Sequence, residues 1–143
     1  MKYIPLLGVL LLSASPSFAV DFVYLKCSGT VQWRKFEPSG DKVEETEKIT
    51  LHFKIDTKKK FYIDSNNPEK RHKVKILNGV AFEQLDDFEE DFTFTMNSLI
   101  AFDPPGKAIS NSMNRNNNTA DIYTNEFIGS CEASDASAYE ASK

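Results

Sequence analysis

Two histidines, His52 and His72, have the widest chemical repertoire in this 143-residue chain, because an imidazole can bind a metal or move a proton. His52 falls on the polar face of a predicted strand, and His72 lies in the basic segment 70–75. A zinc site needs about three or four ligands, and no spacing of histidine with carboxylates supplies them. We therefore expect both histidines to be solvated and predict no metal and no cofactor.

The densest charge cluster is the acidic run 83–91, which places six carboxylates in nine positions. Its members are Glu83, Asp86, Asp87, Glu89, Glu90 and Asp91. The run lacks the Asp-x-Asp-x-Asp-Gly order of an EF-hand calcium loop. It is interpreted first as a solvated face and second as a partner surface for a basic protein. We expect it to form an exposed loop or one helical turn.

Signatures of catalysis are missing from the sequence. It contains no Gly-x-Ser-x-Gly, no glycine-rich phosphate loop and no His-Glu-x-x-His. The net charge of −4 argues against a nucleic-acid partner. A non-catalytic protein is favoured over an enzyme, but scattered residues can converge in space, so a hydrolase stays open as a third hypothesis. A His–carboxylate pair in a pocket would support that hypothesis.

The N-terminus has the layout of a secretory leader. Lys2 precedes an apolar stretch over 4–12, and Ser17-Phe18-Ala19 places small residues where signal peptidase recognises them. The apolar stretch is about half of the roughly 20 residues that span a bilayer, so we predict no stable membrane insertion. We expect cleavage after Ala19 and export to the periplasm or the medium. A single β domain over 20–132 and a flexible tail over 133–143 would remain.

Cys27 and Cys131 are the two cysteines of the chain. In an oxidising compartment an even number of cysteines usually means pairing, so the sequence predicts a Cys27–Cys131 disulfide. The two Cβ atoms of a disulfide lie within about 4.5 Å of each other. Because Cys27 belongs to the first predicted strand and Cys131 to the last, we expect these two strands to be neighbours.

Apolar and polar residues alternate through most of 25–131, which is typical of half-buried strands. The alternation is clearest over 25–33 and 49–55. Turn signals separate the strands, including the hairpin dipeptide Asn78-Gly79 and the asparagines at 116–118. The pattern predicts an all-β fold, a small antiparallel β-barrel of about eight strands. A two-sheet β-sandwich bridged by the disulfide is the alternative.

Eleven phenylalanines and one tryptophan are enough to line a ligand cavity, although core packing also explains them. Trp33 ends the apolar face of the first strand and Arg115 precedes the asparagine-rich turn, so both are candidate barrel-mouth residues. Four phenylalanines would exclude a carrier if they filled the interior, namely Phe53, Phe61, Phe92 and Phe94.

The Leu25-x-Cys27-x-Gly29 start, the Asn114-Arg115 element and the Gly129-x-Cys131 end resemble small exported bacterial β proteins of uncharacterised function. The resemblance implies one disulfide joining the two ends of the domain and a Gram-negative periplasmic setting. The chain is also similar to the periplasmic inhibitor of C-type lysozyme, another small exported barrel with a disulfide. It lacks that family's Ser-Gly-x-x-Tyr loop.

Export, a compact β pattern, charged runs and the missing catalytic signature together predict a non-catalytic binding protein. Its partner would be an exported protein or another envelope component. Lipocalin-like carriage of a small apolar ligand is the alternative function.

Overall fold

The computed structural model describes residues 22–143, and the predicted leader with its cleavage site after Ala19 lies outside that range. The described chain forms nine strands and one short helix. In chain order they are β1 (Phe22–Phe36), β2 (Lys42–Asp56), β3 (Phe61–Asp64), β4 (His72–Lys73), β5 (Lys75–Leu77), β6 (Val80–Phe88), β7 (Phe92–Phe102), β8 (Pro105–Asn116), β9 (Ile122–Ala133) and α1 (Ala136–Ala141).

All nine strands belong to one antiparallel sheet, in the order β4-β3-β2-β1-β9-β8-β7-β6-β5. β1 pairs with both β2 and β9, and Cys27 lies directly opposite Cys131, to which it is disulfide-bonded. The sheet curls until its edge strands β4 and β5, which only Val74 separates in the chain, come together as a nearly closed barrel. The predicted barrel, the disulfide and the adjacency of the first and last strands are confirmed.

Alternate residues of each strand face the barrel interior, as the two-residue period requires. Leu25 and Cys27 of β1 and Ile55 of β2 are the most deeply buried large side chains. Burying an aliphatic side chain of this size contributes about 1.5–3 kcal/mol relative to leaving it exposed. The rest of this core comes from the other strands and one linker, and includes Phe53, Tyr62, Val74, Ala81, Ile100, Phe102, Ala108 and Phe127.

The barrel is paired less completely at one end than at the other. β3 pairs with 53–56 of β2, and β5 pairs with 80–82 of β6. Within the described chain, 42–51 of β2 and 83–88 of β6 therefore have a paired strand on one side only. Trp33, Arg115 and the acidic residues after Glu83 lie at this open end, because β1, β8 and β6 all finish there.

The Asn78-Gly79 hairpin is confirmed and joins β5 to β6. Both residues have positive φ, +49° for Asn78 and +75° for Gly79. A Cβ on Gly79 would lie 1.9 Å from the carbonyl oxygen of Asp103, so the close approach also requires glycine.

The acidic run is not the loop or helical turn that we expected. β6 continues to Phe88 and pairs with β7 throughout, and the chain turns only over 89–91. Pairing with β7 satisfies the backbone groups of this segment, which outweighs the low strand preference of acidic residues. Because strand alternation continues, Glu83 faces inward like Ala81, whereas Asp86 faces outward.

The C-terminal segment, expected to be a flexible tail, contains α1. Asp135 caps this helix by accepting a hydrogen bond from the backbone N–H of Ala138 at 2.8 Å. Tyr139 is only 2% exposed, and its ring centroid lies 5.9 Å from that of Tyr24 on β1. The burial of Tyr139 against the barrel thus anchors a segment whose composition suggested solvent exposure.

Candidate functional site

A cavity of about 250 Å³ lies within the open half of the barrel. Its apolar walls come from inward-facing side chains of five strands. They include Val31, Ile49, Leu51, Phe53, Met96, Ile100, Ala108 and Phe127. Trp33 and Asn66 also line the cavity and are exposed, so its opening lies beside them.

Polar side chains line the cavity on two sides. Ser98, Ser110 and Ser112 come from β7 and β8, where the Ser98 hydroxyl donates to the Ser110 hydroxyl at 3.0 Å. Tyr62, Asp64 and His72 come from β3 and β4, across the seam of the barrel. A few convergent polar groups in an apolar cavity are typical of a small-molecule site.

Glu83 joins the two sides of the seam through its side chain. Its Oε2 accepts a hydrogen bond from the Tyr62 hydroxyl at 2.7 Å, and its Oε1 lies 3.0 Å from Nδ1 of His72. The rings of Tyr62 and His72 stack with their centroids 4.5 Å apart. In the described chain no backbone ladder joins β4 to β6, so this cluster connects them instead.

The prediction of a solvated His72 is wrong, since His72 is 6% exposed. β4 lies at the seam, and its alternation directs His72 inward to Glu83 while Lys73 faces solvent. Glu83 is itself 8% exposed, so it does not belong to a partner surface. His52 is half-buried, and its Nδ1 is buried with no hydrogen-bond partner among the described residues.

Asp64 lies beside His72 and also lines the cavity. Its Oδ1 accepts the backbone N–H groups of Asn66 and Asn67 at 2.9 and 3.0 Å, which fixes the orientation of the carboxylate. Its Oδ2 lies 3.8 Å from Nε2 of His72, which is beyond hydrogen-bond distance. Nε2 of His72 and Oδ2 of Asp64 therefore face each other at the cavity without a hydrogen bond between them.

Burial raises the pKa of the Tyr62 phenol well above its usual range, and the Glu83 carboxylate raises it further because it opposes a second negative charge nearby. At neutral pH Tyr62 is consequently a neutral hydrogen-bond donor to Glu83.

Because the pKa of Tyr62 is higher in the folded than in the unfolded protein, the protein should become less stable in alkali. An unfolded tyrosine ionises near pH 10, whereas folded Tyr62 stays protonated, so its contribution to stability is present below pH 10 and decreases above it. We expect wild type to lose more free energy of unfolding between pH 8 and pH 11 than Tyr62→Phe, as measured by urea denaturation. An equal loss in both proteins would show that Tyr62 does not have a raised pKa.

The other candidate residues lie at the open end. Asp86, Asp87, Glu89, Glu90 and Asp91 are exposed there. Trp33 is 50% exposed and lines the cavity at its opening. Arg115 is exposed on β8 and is not among the described residues that line the cavity.

A groove of about 700 Å³ lies on the outer face of β6, β7 and β8. An apolar row of Phe82, Leu99 and Ile109 crosses the three strands in register. A parallel row two residues further along carries the amides of Gln84, Asn97 and Asn111. All three amides are exposed to solvent, unlike the buried polar groups that line the cavity.

His72 and Glu83 form the kind of His–carboxylate pair that would support a hydrolase. The nitrogens of His72 face the carboxylates of Glu83 and Asp64, and neither bonds to a hydroxyl in the described part of the chain. Among residues 22–143, no group of three or more His, Cys, Asp or Glu side chains is placed to hold a metal.

Within the same range, the one helix, α1, is not long and apolar enough to cross a membrane. Comparison with models of known families, with characterised proteins and with solved structures finds no match for this chain. The resemblance to exported bacterial β proteins therefore stays a prediction, and the function has to be argued from the geometry of the site.

Proposed function

We propose that the protein is an exported, non-catalytic binding protein that holds a small, largely apolar molecule in the barrel cavity. The observation that carries this proposal is the cavity of about 250 Å³, with its apolar walls and buried polar groups. An apolar cavity of about 150 Å³ accommodates benzene, so by proportion the ligand has about ten non-hydrogen atoms. The leader pattern and the disulfide support the exported location.

The packing of the phenylalanines agrees with a carrier. Phe53 lines the cavity without closing it, and Phe92 and Phe94 are only half-buried at the open end. Phe61 lies beside the guanidinium of Arg71, 4.7 Å from ring centroid to Cζ, and does not line the cavity. These four rings therefore do not fill the interior. A filled interior would have argued against a carrier.

A protein or envelope partner is the second candidate. The observation in its favour is the group of exposed carboxylates at the open end, of which Asp86, Asp87 and Asp91 are members. These carboxylates are not among the residues that line the cavity, so a partner could bind to them while a small molecule occupies the cavity.

Ser112→Phe is the variant that tests the cavity. Ser112 faces inward between Met96 and Asn125, so the introduced ring should occupy the space of the ligand. We expect binding of the probe 2-phenylethanol to weaken at least tenfold. Trp33 is the one tryptophan of the chain and lies at the opening, so its fluorescence reports binding directly.

Asn111→Phe is the matched control, since Asn111 precedes Ser112 and faces the outer groove. It should bind 2-phenylethanol like the wild type. Thermal unfolding of both variants establishes that each is folded. Equal affinity in the two variants, or no binding by wild type recovered from the periplasm, would refute the proposed function.

A further inference from the structure

A ring nitrogen of His72 and a carboxylate oxygen of Asp64 face each other at the edge of the cavity. The short contact between Nδ1 of His72 and Glu83 favours the tautomer that carries its proton on Nδ1. Nε2 then presents a lone pair, and the atom opposite it is Oδ2 of Asp64, 3.8 Å away. Two acceptors at this separation can share one donor group that sits beside them, within hydrogen-bond distance of each.

Nothing on the described chain supplies that donor. The backbone N–H groups of Asn66 and Asn67 bond to Oδ1 of Asp64 and not to Oδ2. The His72 side chain is more than nine-tenths buried and lines the cavity, so a polar group of a molecule in the cavity can reach Nε2. The gap therefore indicates where the polar end of a ligand would bind.

The charge around the cavity indicates the sign of that polar end. Neither lysine nor arginine is among the described residues that line it, whereas Asp64 lines it and Glu83 lies directly behind His72. At the opening, the hollow beside Trp33 is bordered by charges of both signs, from Glu45 and from Arg34 and Lys35, so the negative charge of the site comes from Asp64 inside the cavity. A negative site with a tryptophan at its opening attracts a cation, both through its charge and through the face of the indole ring.

We propose that the natural ligand carries a primary amine, bound as an ammonium group between Nε2 of His72 and Oδ2 of Asp64. Its apolar body fills the remainder of the cavity, against Leu51, Met96 and Phe127. An ammonium group has three donors and no acceptor, which matches a site that offers acceptors. This inference rests on the proposed function and adds the chemical class of the ligand.

The test compares three probes of similar shape: 2-phenylethylamine, 2-phenylethanol and N,N,N-trimethyl-2-phenylethylammonium. We expect wild type to bind the primary amine about 10- to 100-fold more tightly than the alcohol, because a charge-assisted hydrogen bond replaces a neutral one. The trimethylated probe keeps the charge but has no N–H donor, so it should bind more weakly than the primary amine. These comparisons change only the probe, so they do not depend on the folding of a variant.

Asp64→Asn removes the charge and keeps an oxygen that can accept the two backbone N–H groups. It should bind the amine and the alcohol equally. Asp56→Asn is the matched control, because Asp56 also accepts two backbone N–H groups, from Lys58 and Lys59, but does not line the cavity. It should keep the preference for the amine.

The outcomes separate this inference from the proposed function. If wild type bound the alcohol and the amine equally well, or if Asp64→Asn kept the preference, the amine would be the wrong ligand class although the cavity binds small molecules. If no probe bound, both the inference and the proposed function would be overturned.

Discussion

The double variant Cys27→Ala/Cys131→Ala should lose about 4–5 kcal/mol of the free energy of unfolding, because the disulfide restricts the unfolded chain most when the closed loop is long. The two cysteines are separated by 104 positions in the sequence. Alanine is preferable to serine here, because Cys27 is fully buried and a serine would place an unpaired hydroxyl in the core. Urea denaturation measures the loss.

The β structure itself should survive this change. β1 keeps its backbone ladders with β2 and β9 whether or not the disulfide is present, so the far-ultraviolet circular dichroism of the folded variant should match the wild type. Reduced wild type serves as the control and should be destabilised similarly. A loss below about 1 kcal/mol in both would contradict the stabilising role of the bond between β1 and β9.

Glu83→Leu should lower the free energy of unfolding by about 3–5 kcal/mol, because removing one partner of a buried polar cluster leaves the others unpaired. The Tyr62 hydroxyl and Nδ1 of His72 would each lose their carboxylate partner in a region with little access to water. The same cluster connects β4 to β6 across the seam, so we expect local opening of this edge as well. Urea denaturation and amide hydrogen exchange at β4 measure the two effects.

Glu90→Leu is the matched control, since Glu90 belongs to the same acidic run but is exposed. Its effect should stay within about 0.5 kcal/mol, as for most surface substitutions. A double-mutant cycle of Glu83→Leu with Tyr62→Phe should show strong coupling, because Tyr62→Phe removes one of the donors that Glu83→Leu leaves unpaired. Similar losses in Glu83→Leu and Glu90→Leu would show that the cluster does not stabilise the seam.

The architecture could be predicted from the sequence because its signals are local and agree with each other. The alternation in 25–33 and 49–55 marks strands, and Asn78-Gly79 marks a hairpin. The cysteines add one long-range restraint, which correctly makes the first and last strands neighbours. Nothing comparable indicates where the remaining edges meet, so the seam at which β4 and β5 come together could not be predicted.

The buried cluster was missed for a physical reason. Glu83 is stabilised by Tyr62 and His72, which are 21 and 11 positions away in the chain, so its surroundings depend on closure of the barrel. Dense acidic neighbours suggested solvent exposure for the whole run. One signal was present: Glu83 lies two positions after Ala81, so a strand that continued through 83 would place both side chains on the same face.

The C-terminal helix also had a signal that composition obscured. Asp135 precedes 136–141, a stretch of good helix formers, which is the usual arrangement of an N-cap. An isolated helix of this length is unstable in water, so the contact of Tyr139 with Tyr24 is needed to hold it. That contact joins the two ends of the described chain and could not be predicted locally.

The central claim is that the barrel interior binds a small molecule, and methyl NMR during titration with 2-phenylethylamine tests it most directly. We predict that the methyl signals of Ile49, Leu51 and Ile100, which line the cavity, shift as the probe is added. Those of Ile128, exposed on the outer face, should stay in place. Shifts at Ile128 without shifts at Ile49, Leu51 and Ile100 would contradict the account, because the probe would then bind outside the barrel.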